Sequence, residues 1–209
     1  MAIESTPTQP AEVRVLPPGL DLEAHLAAIR AREGFHRLDV DGDRLLLMPP
    51  ANPWSSYVGM RLGISLGGHI SRDGLPLELF GADAGWLLTA EPLPYGRRVT
   101  PDLSVVRRER LPQGAPPAGF WPVVPDLAVE VLSPSDHWPE TERKLALYRR
   151  AGAPLVWVLD PRAGTAFVYA RGQLLHEWLR ERGDRLQAPD LVPGWGLSLR
   201  DLLAGWSTG

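Results

Sequence analysis

Between residues 125 and 160 the chain reads PDLAVEVLS, then SDHWPETERKLALYRRAG, then LVWVLD. Two short apolar runs enclose the strongest helix signal in the sequence, and that alternation limits the fold more than any other feature. Short apolar runs bounded by turn residues are strands. In the segment between them, Pro139 suits a first-turn position. Glu140 and Glu142 favour the positive N-terminal end, Arg149 and Arg150 the C-terminal end, and Gly152 closes it. Further strand-like runs precede this unit, at 75–82 (LPLELFGA), 85–90 (GWLLTA) and 101–108 (PDLSVVRR). FVYA and LLHEW follow it as a hairpin about Arg171-Gly172. Strands on both sides of one good helix predict an α/β (α+β) domain: a mixed, twisted β-sheet flanked by helices, with extra β-hairpins.

The N-terminal half adds two helices and a hairpin. Residues 21–33 place Leu22, Leu26 and Ile29 at helical spacing behind Asp21 as a cap. Asp41-Gly42 separates two apolar runs, a strong hairpin signal, and Pro49 and Pro50 end it. Residues 54–72 read as a helix weakened by Gly59, Gly63, Gly67 and Gly68. We expect residues 1–19 to be a poorly ordered lead-in and residues 20–209 a single domain. With 21 glycines and 22 prolines among 209 residues, a long helical bundle is excluded.

Charge and composition narrow the chemistry. A net charge of −3 gives no global basic field, so any contact with phosphates must be local or metal-mediated. Zero cysteines exclude disulfides, thiolate zinc sites and a cysteine nucleophile. No apolar run reaches the roughly 20 residues that span a bilayer. The N-terminal stretch does not read as a signal peptide. The expectation is a cytoplasmic protein without membrane contact.

Two acids interrupt apolar strands. In PDLSVV, strand alternation puts Asp102, Ser104 and Val106 on one face. In PDLAVEVL it groups Asp126, Ala128, Glu130 and Leu132. A carboxylate in the middle of a buried strand must be paired, protonated or bound to a metal. Fourteen residues beyond Glu130 stands Lys144, the single lysine among 22 basic residues. Glu140, Lys144, Leu147, Tyr148 and Ala151 form one helical stripe. If the stripe packs on the sheet, Lys144 points inward. There a compact ammonium, whose pKa can fall, can orient or deprotonate a water where arginine cannot.

This ordered pattern resembles the PD-(D/E)xK nuclease superfamily and, more narrowly, the Uma2 family of restriction-endonuclease-like proteins. The resemblance runs from about Phe35 to Leu202, through DVDGDRLLLMPP, VTPDLSVVRRE, VPDLAVEVLSPS, Lys144 and Tyr148, AGAPLVWVLDP and VPGWGLSL. It implies a restriction-endonuclease-like core and metal-dependent hydrolysis of DNA phosphodiester bonds. Asp102, Glu130 and the main-chain carbonyl of Val131 would hold Mg²⁺ or Mn²⁺, and Lys144 would help position the attacking water. Leu132 stands where the motif lysine would be, and Lys144 takes that role from the following helix. Two departures stand out. A histidine common in the family is replaced around Ser55 and Ser56, and an aspartate before the helix lysine is Glu140 here.

Plainer readings accompany these. Asp102 and Glu130 form a structural ion pair with Arg143 or Lys144, and the chain is then a non-catalytic binding or assembly protein. GFWPVV and WGLSLRDLLAGW would bury against a second copy in a homodimer. Hydrolysis of a smaller phosphate ester is a third reading. Asp126 follows a proline and reads as a turn cap, with a third ligand as the alternative. His36, His69 and His176 lack metal-ligand spacing, and His137 is nearer the proposed site. Tyr148 reads as core, as do Trp54, Trp121, Trp157 and Trp178, with an interface as the alternative for the tryptophans. Arginines at 97, 98, 107, 108, 110, 143, 149 and 150 surround the acids and are the candidate nucleic-acid contacts, or simply solvated surface.

Overall fold

The structure is a computed structural model; it describes residues 12–33, 37–48, 52–89, 93–113, 119–133 and 138–204. The elements run β1 (Glu12–Val15), α1 (Leu22–Glu33), β2 (Arg37–Asp41), β3 (Arg44–Met48), α2 (Pro53–Arg72), β4 (Leu77–Gly81) and β5 (Trp86–Thr89). They continue with β6 (Arg97–Val99), β7 (Leu103–Arg107), β8 (Leu127–Val131), α3 (Trp138–Arg150), β9 (Leu155–Asp160), β10 (Thr165–Ala170) and β11 (Gln173–Leu179). The short pair β12 (Arg185–Leu186) and β13 (Leu197–Ser198) and the turn-length α4 (Leu199–Leu202) follow.

Two sheets result. One has the order β1-β3-β2-β6-β5, the other β11-β10-β9-β8-β7-β4. The second is mixed. Strand β8 runs parallel to β9, joined by the α3 crossover, while β7 pairs antiparallel with β8. This is the mixed sheet that the strand–helix–strand alternation predicts. Asp21 caps α1 through its carboxylate, and Gly152 closes α3 at φ +72°.

Helix α2 covers one face of the six-stranded sheet, where Val58, Leu62 and Leu66 meet Leu103, Val105, Leu127 and Val129. Asn52 caps it by accepting the Trp54 amide, with Pro53 in the first turn. Two of the four glycines expected to weaken this helix, Gly63 and Gly67, serve its packing. A Cβ at Gly63 would lie 3.1 Å from Leu103, and one at Gly67 3.2 Å from Leu79. The helix can sit this close to the sheet because those side chains are missing. On the opposite face, Leu147 and Tyr148 of α3 pack with Trp86, Val106, Ala128 and Val156.

Three expectations need correction or fall outside. Residues 12–15, placed in a disordered lead-in, form β1 and pair in register with β3. The segments proposed as a dimer surface are used inside the chain. Phe120 and Val123 are buried, and Trp195, Leu199, Leu202 and Leu203 belong to the main core. Trp121, Val124 and Leu197 of the same segments are half-buried, and Gly205 and Trp206 lie outside the described residues. His36, His137, Pro49 and Pro50 lie outside the described residues. Among the described residues, no helix is long and apolar enough to cross a membrane.

Candidate active site

The β7–β8 register pairs Leu103 with Val129, so one step further sets Asp102 opposite Glu130. Side chains directly opposite on antiparallel strands share a face with Cβ atoms about 5 Å apart. The two acids therefore meet as the alternation implies. The Val131 amide donates to Asp102 Oδ2 at 2.7 Å, which ties that carboxylate to the strand carrying Glu130.

Helix α3 supplies two donors to Glu130. Lys144 Nζ lies 2.7 Å from Oε2, and the Tyr148 hydroxyl donates to Oε1 at 2.7 Å. Both come from the predicted stripe, and both are buried. Tyr148 is thus core in its ring and part of the site at its oxygen.

The five-stranded sheet brings two more residues, which the sequence reading missed. Asp39 of β2 is fully buried, with Oδ2 3.4 Å from Lys144 Nζ and Oδ1 accepting from the amide and hydroxyl of Thr100. Arg37, two residues earlier, places Nη1 2.9 Å from Asp102 Oδ1 and Nη2 3.9 Å from Glu130 Oε2. Its Nη2 also donates to the Thr100 carbonyl at 3.1 Å. Asp39 carried the same signal as Glu130, an acid inside the apolar run RLDVD, but the hairpin reading absorbed it.

The electrostatics follow from burial among like and unlike charges. Burial pushes the Glu130 carboxyl above its ordinary range, and Asp102 and Asp39 push the same way against Lys144 and Arg37. For Lys144, burial opposes the charged form, but Asp39 and Glu130 outweigh it and hold the pKa above the usual lysine value. The lysine here stays an ammonium, against the expectation that its pKa can fall. Burial and the neighbouring carboxylates raise the Tyr148 phenol, so it remains a donor.

The other candidates divide. Asp126 accepts the Arg107 amide at 2.8 Å and pairs with Arg110 at 2.7 Å, which makes it a clamp on the far end of β7. Four strand residues from Glu130 amount to about 13 Å, too far to share an ion with it. Glu140 is half-buried in the first turn of α3, and the ion pairs of Lys144 run to Glu130 and Asp39 instead. Arg143 faces Asp41 at 3.8 Å, not Asp102 or Glu130. His69 contacts the Pro193 carbonyl and Asp73, remote from the acids in its bonding.

Asp102 also lines a groove of about 390 Å³ between α2 and β4, bordered by Ser55, Ser56, Gly59, Met60 and Phe80. The serines that replace the family histidine therefore stand around the same groove as Asp102. Among the described residues no group of three or more His, Cys, Asp and Glu side chains gathers as a ready metal cage. Asp102 and Glu130 nonetheless suit a hard divalent cation, which is often held by one or two carboxylates and several waters. A cation already bridges them, in the form of the Arg37 guanidinium.

The solved structure of a putative nuclease belonging to DUF820 from Anabaena variabilis ATCC 29413 is similar to this chain. It matches with a TM-score of 0.69 at 18% identity, over 80% of this chain and 89% of that one. The likeness is one of fold, and it agrees with the restriction-endonuclease-like core expected from the motifs. No curated protein matches the chain. The model of the Uma2 family, described as "Putative restriction endonuclease", matches residues 22–200, and the chain belongs to that family.

Proposed function

We propose that the chain is a divalent-metal-dependent endonuclease that hydrolyses phosphodiester bonds of DNA, with Asp102, Glu130 and Lys144 as its catalytic residues. The observation that carries the reading is the meeting of Asp102 and Glu130 on adjacent strands, with Lys144 on Glu130 and Asp102 lining a groove. Membership of a family described as restriction endonucleases supports it. Asp102, Glu130 and the Val131 carbonyl would hold Mg²⁺ or Mn²⁺. The ion would supply charge to polarise the scissile phosphate and lower the pKa of a water. Tyr148 fixes the rotamer of Glu130. Lys144 keeps its proton and offers N–H donors to a water or phosphate oxygen, a positioning and electrostatic task rather than proton abstraction. Incubating the protein with supercoiled plasmid and Mg²⁺ or Mn²⁺ tests the reading. Cleavage should be lost in Asp102→Ala, Glu130→Ala and Lys144→Ala. Cleavage that survives all three places the chemistry elsewhere.

A second reading, a nuclease-like scaffold that binds or assembles without catalysis, has one observation in its favour. All four oxygens of Asp102 and Glu130 face donors from the protein itself. A network so fully paired can be structural. On this reading Mn²⁺ does not bind near physiological concentrations.

A further inference from the structure

The Arg37 guanidinium occupies the ground between the two carboxylates. Its contact with Asp102 is short, at 2.9 Å, and its contact with Glu130 long, at 3.9 Å. Glu130 Oε2 is shared between this guanidinium and Lys144. The seat is built: Arg37 opens β2 in register with Met48, its side chain is 13% exposed, and the Thr100 carbonyl accepts one of its N–H groups. Thr100 in turn holds Asp39 and directly precedes the Pro101-Asp102 pair.

A divalent ion drawn to Asp102 Oδ1 would meet the positive charge of the Arg37 guanidinium on that same oxygen. Like charges at contact distance in a buried site repel strongly, so both cations cannot stay. The guanidinium is also the side chain best shaped to grip a phosphate through two parallel N–H donors. Asp102, which Arg37 holds at 2.9 Å, is itself one of the residues lining the groove.

We infer that Arg37 is a built-in counter-cation that closes the Asp102 and Glu130 site at rest and gives way to the divalent ion by moving onto a phosphate of the bound nucleic acid. The inference rests on the reading of those two acids as metal ligands. It makes metal and nucleic-acid binding mutually reinforcing, since each removes an obstacle to the other.

Calorimetric titration with Mn²⁺ alone tests it on the wild type, Arg37→Gln, Asp102→Asn and the double variant. Glutamine keeps a donor for Asp102 and sheds the charge. The expected result is Mn²⁺ binding at least ~10-fold tighter in Arg37→Gln than in the wild type, with the gain lost when Asp102→Asn is added. Equal or weaker binding in Arg37→Gln, with wild-type binding that depends on Asp102, overturns the Arg37 role and leaves the metal reading intact. No Mn²⁺ heat in either protein overturns both. Should Arg37→Gln fail to fold, the ¹⁵Nε resonance of Arg37 in the wild type gives the answer under Mg²⁺ titration. It must shift as the metal saturates, and an unmoved resonance alongside Asp102-dependent binding defeats the inference.

Discussion

Lys144, the only lysine in the chain, sits 2.7 Å from Glu130 across the gap between α3 and β8. The pair is buried on both sides, so desolvation offsets much of its attraction and the large cost lies in breaking it. Breaking it by removing one partner strands a charge in the core. Lys144→Met should therefore cost about 3–5 kcal/mol of stability, measured by urea denaturation. Lys144→Arg keeps the charge but brings a wide planar fork into a space shaped by Asp39 and Glu130. It should fold and lose nuclease activity by about 100-fold or more.

The same pair makes a prediction about pH. The folded state holds the Lys144 proton more tightly than the unfolded chain, whose lysine titrates near 10.5. The stabilisation is complete below that pH and is lost as pH rises through the higher folded value. The stability difference between wild type and Lys144→Met should be large at pH 8 and shrink steadily in alkaline solution. A difference that grows with pH contradicts the raised ammonium.

Tyr148→Phe removes the donor to Glu130 Oε1 and leaves a buried carboxylate oxygen without that bond. A loss of about 1–3 kcal/mol is expected, because the oxygen has already been taken from water. Activity should fall with it, since the Glu130 rotamer is no longer fixed. Thermal unfolding and plasmid cleavage read the two effects separately.

Asp126→Asn separates clamp from ligand. Asp126 binds Arg107 and Arg110, so the variant should lose stability by about 1–3 kcal/mol while its Mn²⁺ affinity stays unchanged. A drop in metal affinity equal to that of Asp102→Asn would restore Asp126 as a ligand.

Gly63→Val tests the close approach of α2. The added side chain meets Leu103 at the residue next to Asp102. Overpacking of this kind costs about 1–3 kcal/mol.

What the sequence revealed here was whatever local periodicity can encode. Strand alternation marks Asp102 and Glu130 as acids within apolar runs, the three- and four-residue steps of α3 carry Lys144 and Tyr148 inward, and the family resemblance brought the two acids together. Asp39 was legible as an acid inside RLDVD and was passed over, while the place of Arg37 and Asp39 in the site was illegible for a different reason. They reach the site from β2 in the other sheet, and no spacing rule links position 37 to position 102. The glycines of α2 were misread because helix propensity counts their cost and not the Leu103 and Leu79 side chains that fill the space. GFWPVV looked like an interface because its apolar residues cover the chain's own sheet, where Trp121 packs edge-on against Trp86 and Phe80.

The most direct test of the central claim is anomalous diffraction from a crystal soaked in Mn²⁺. The account predicts one strong peak between Asp102 and Glu130, about 2.1 Å from an oxygen of each, with Arg37 displaced. A crystal with no peak there, and with the Arg37 guanidinium still spanning both carboxylates at saturating Mn²⁺, would contradict it.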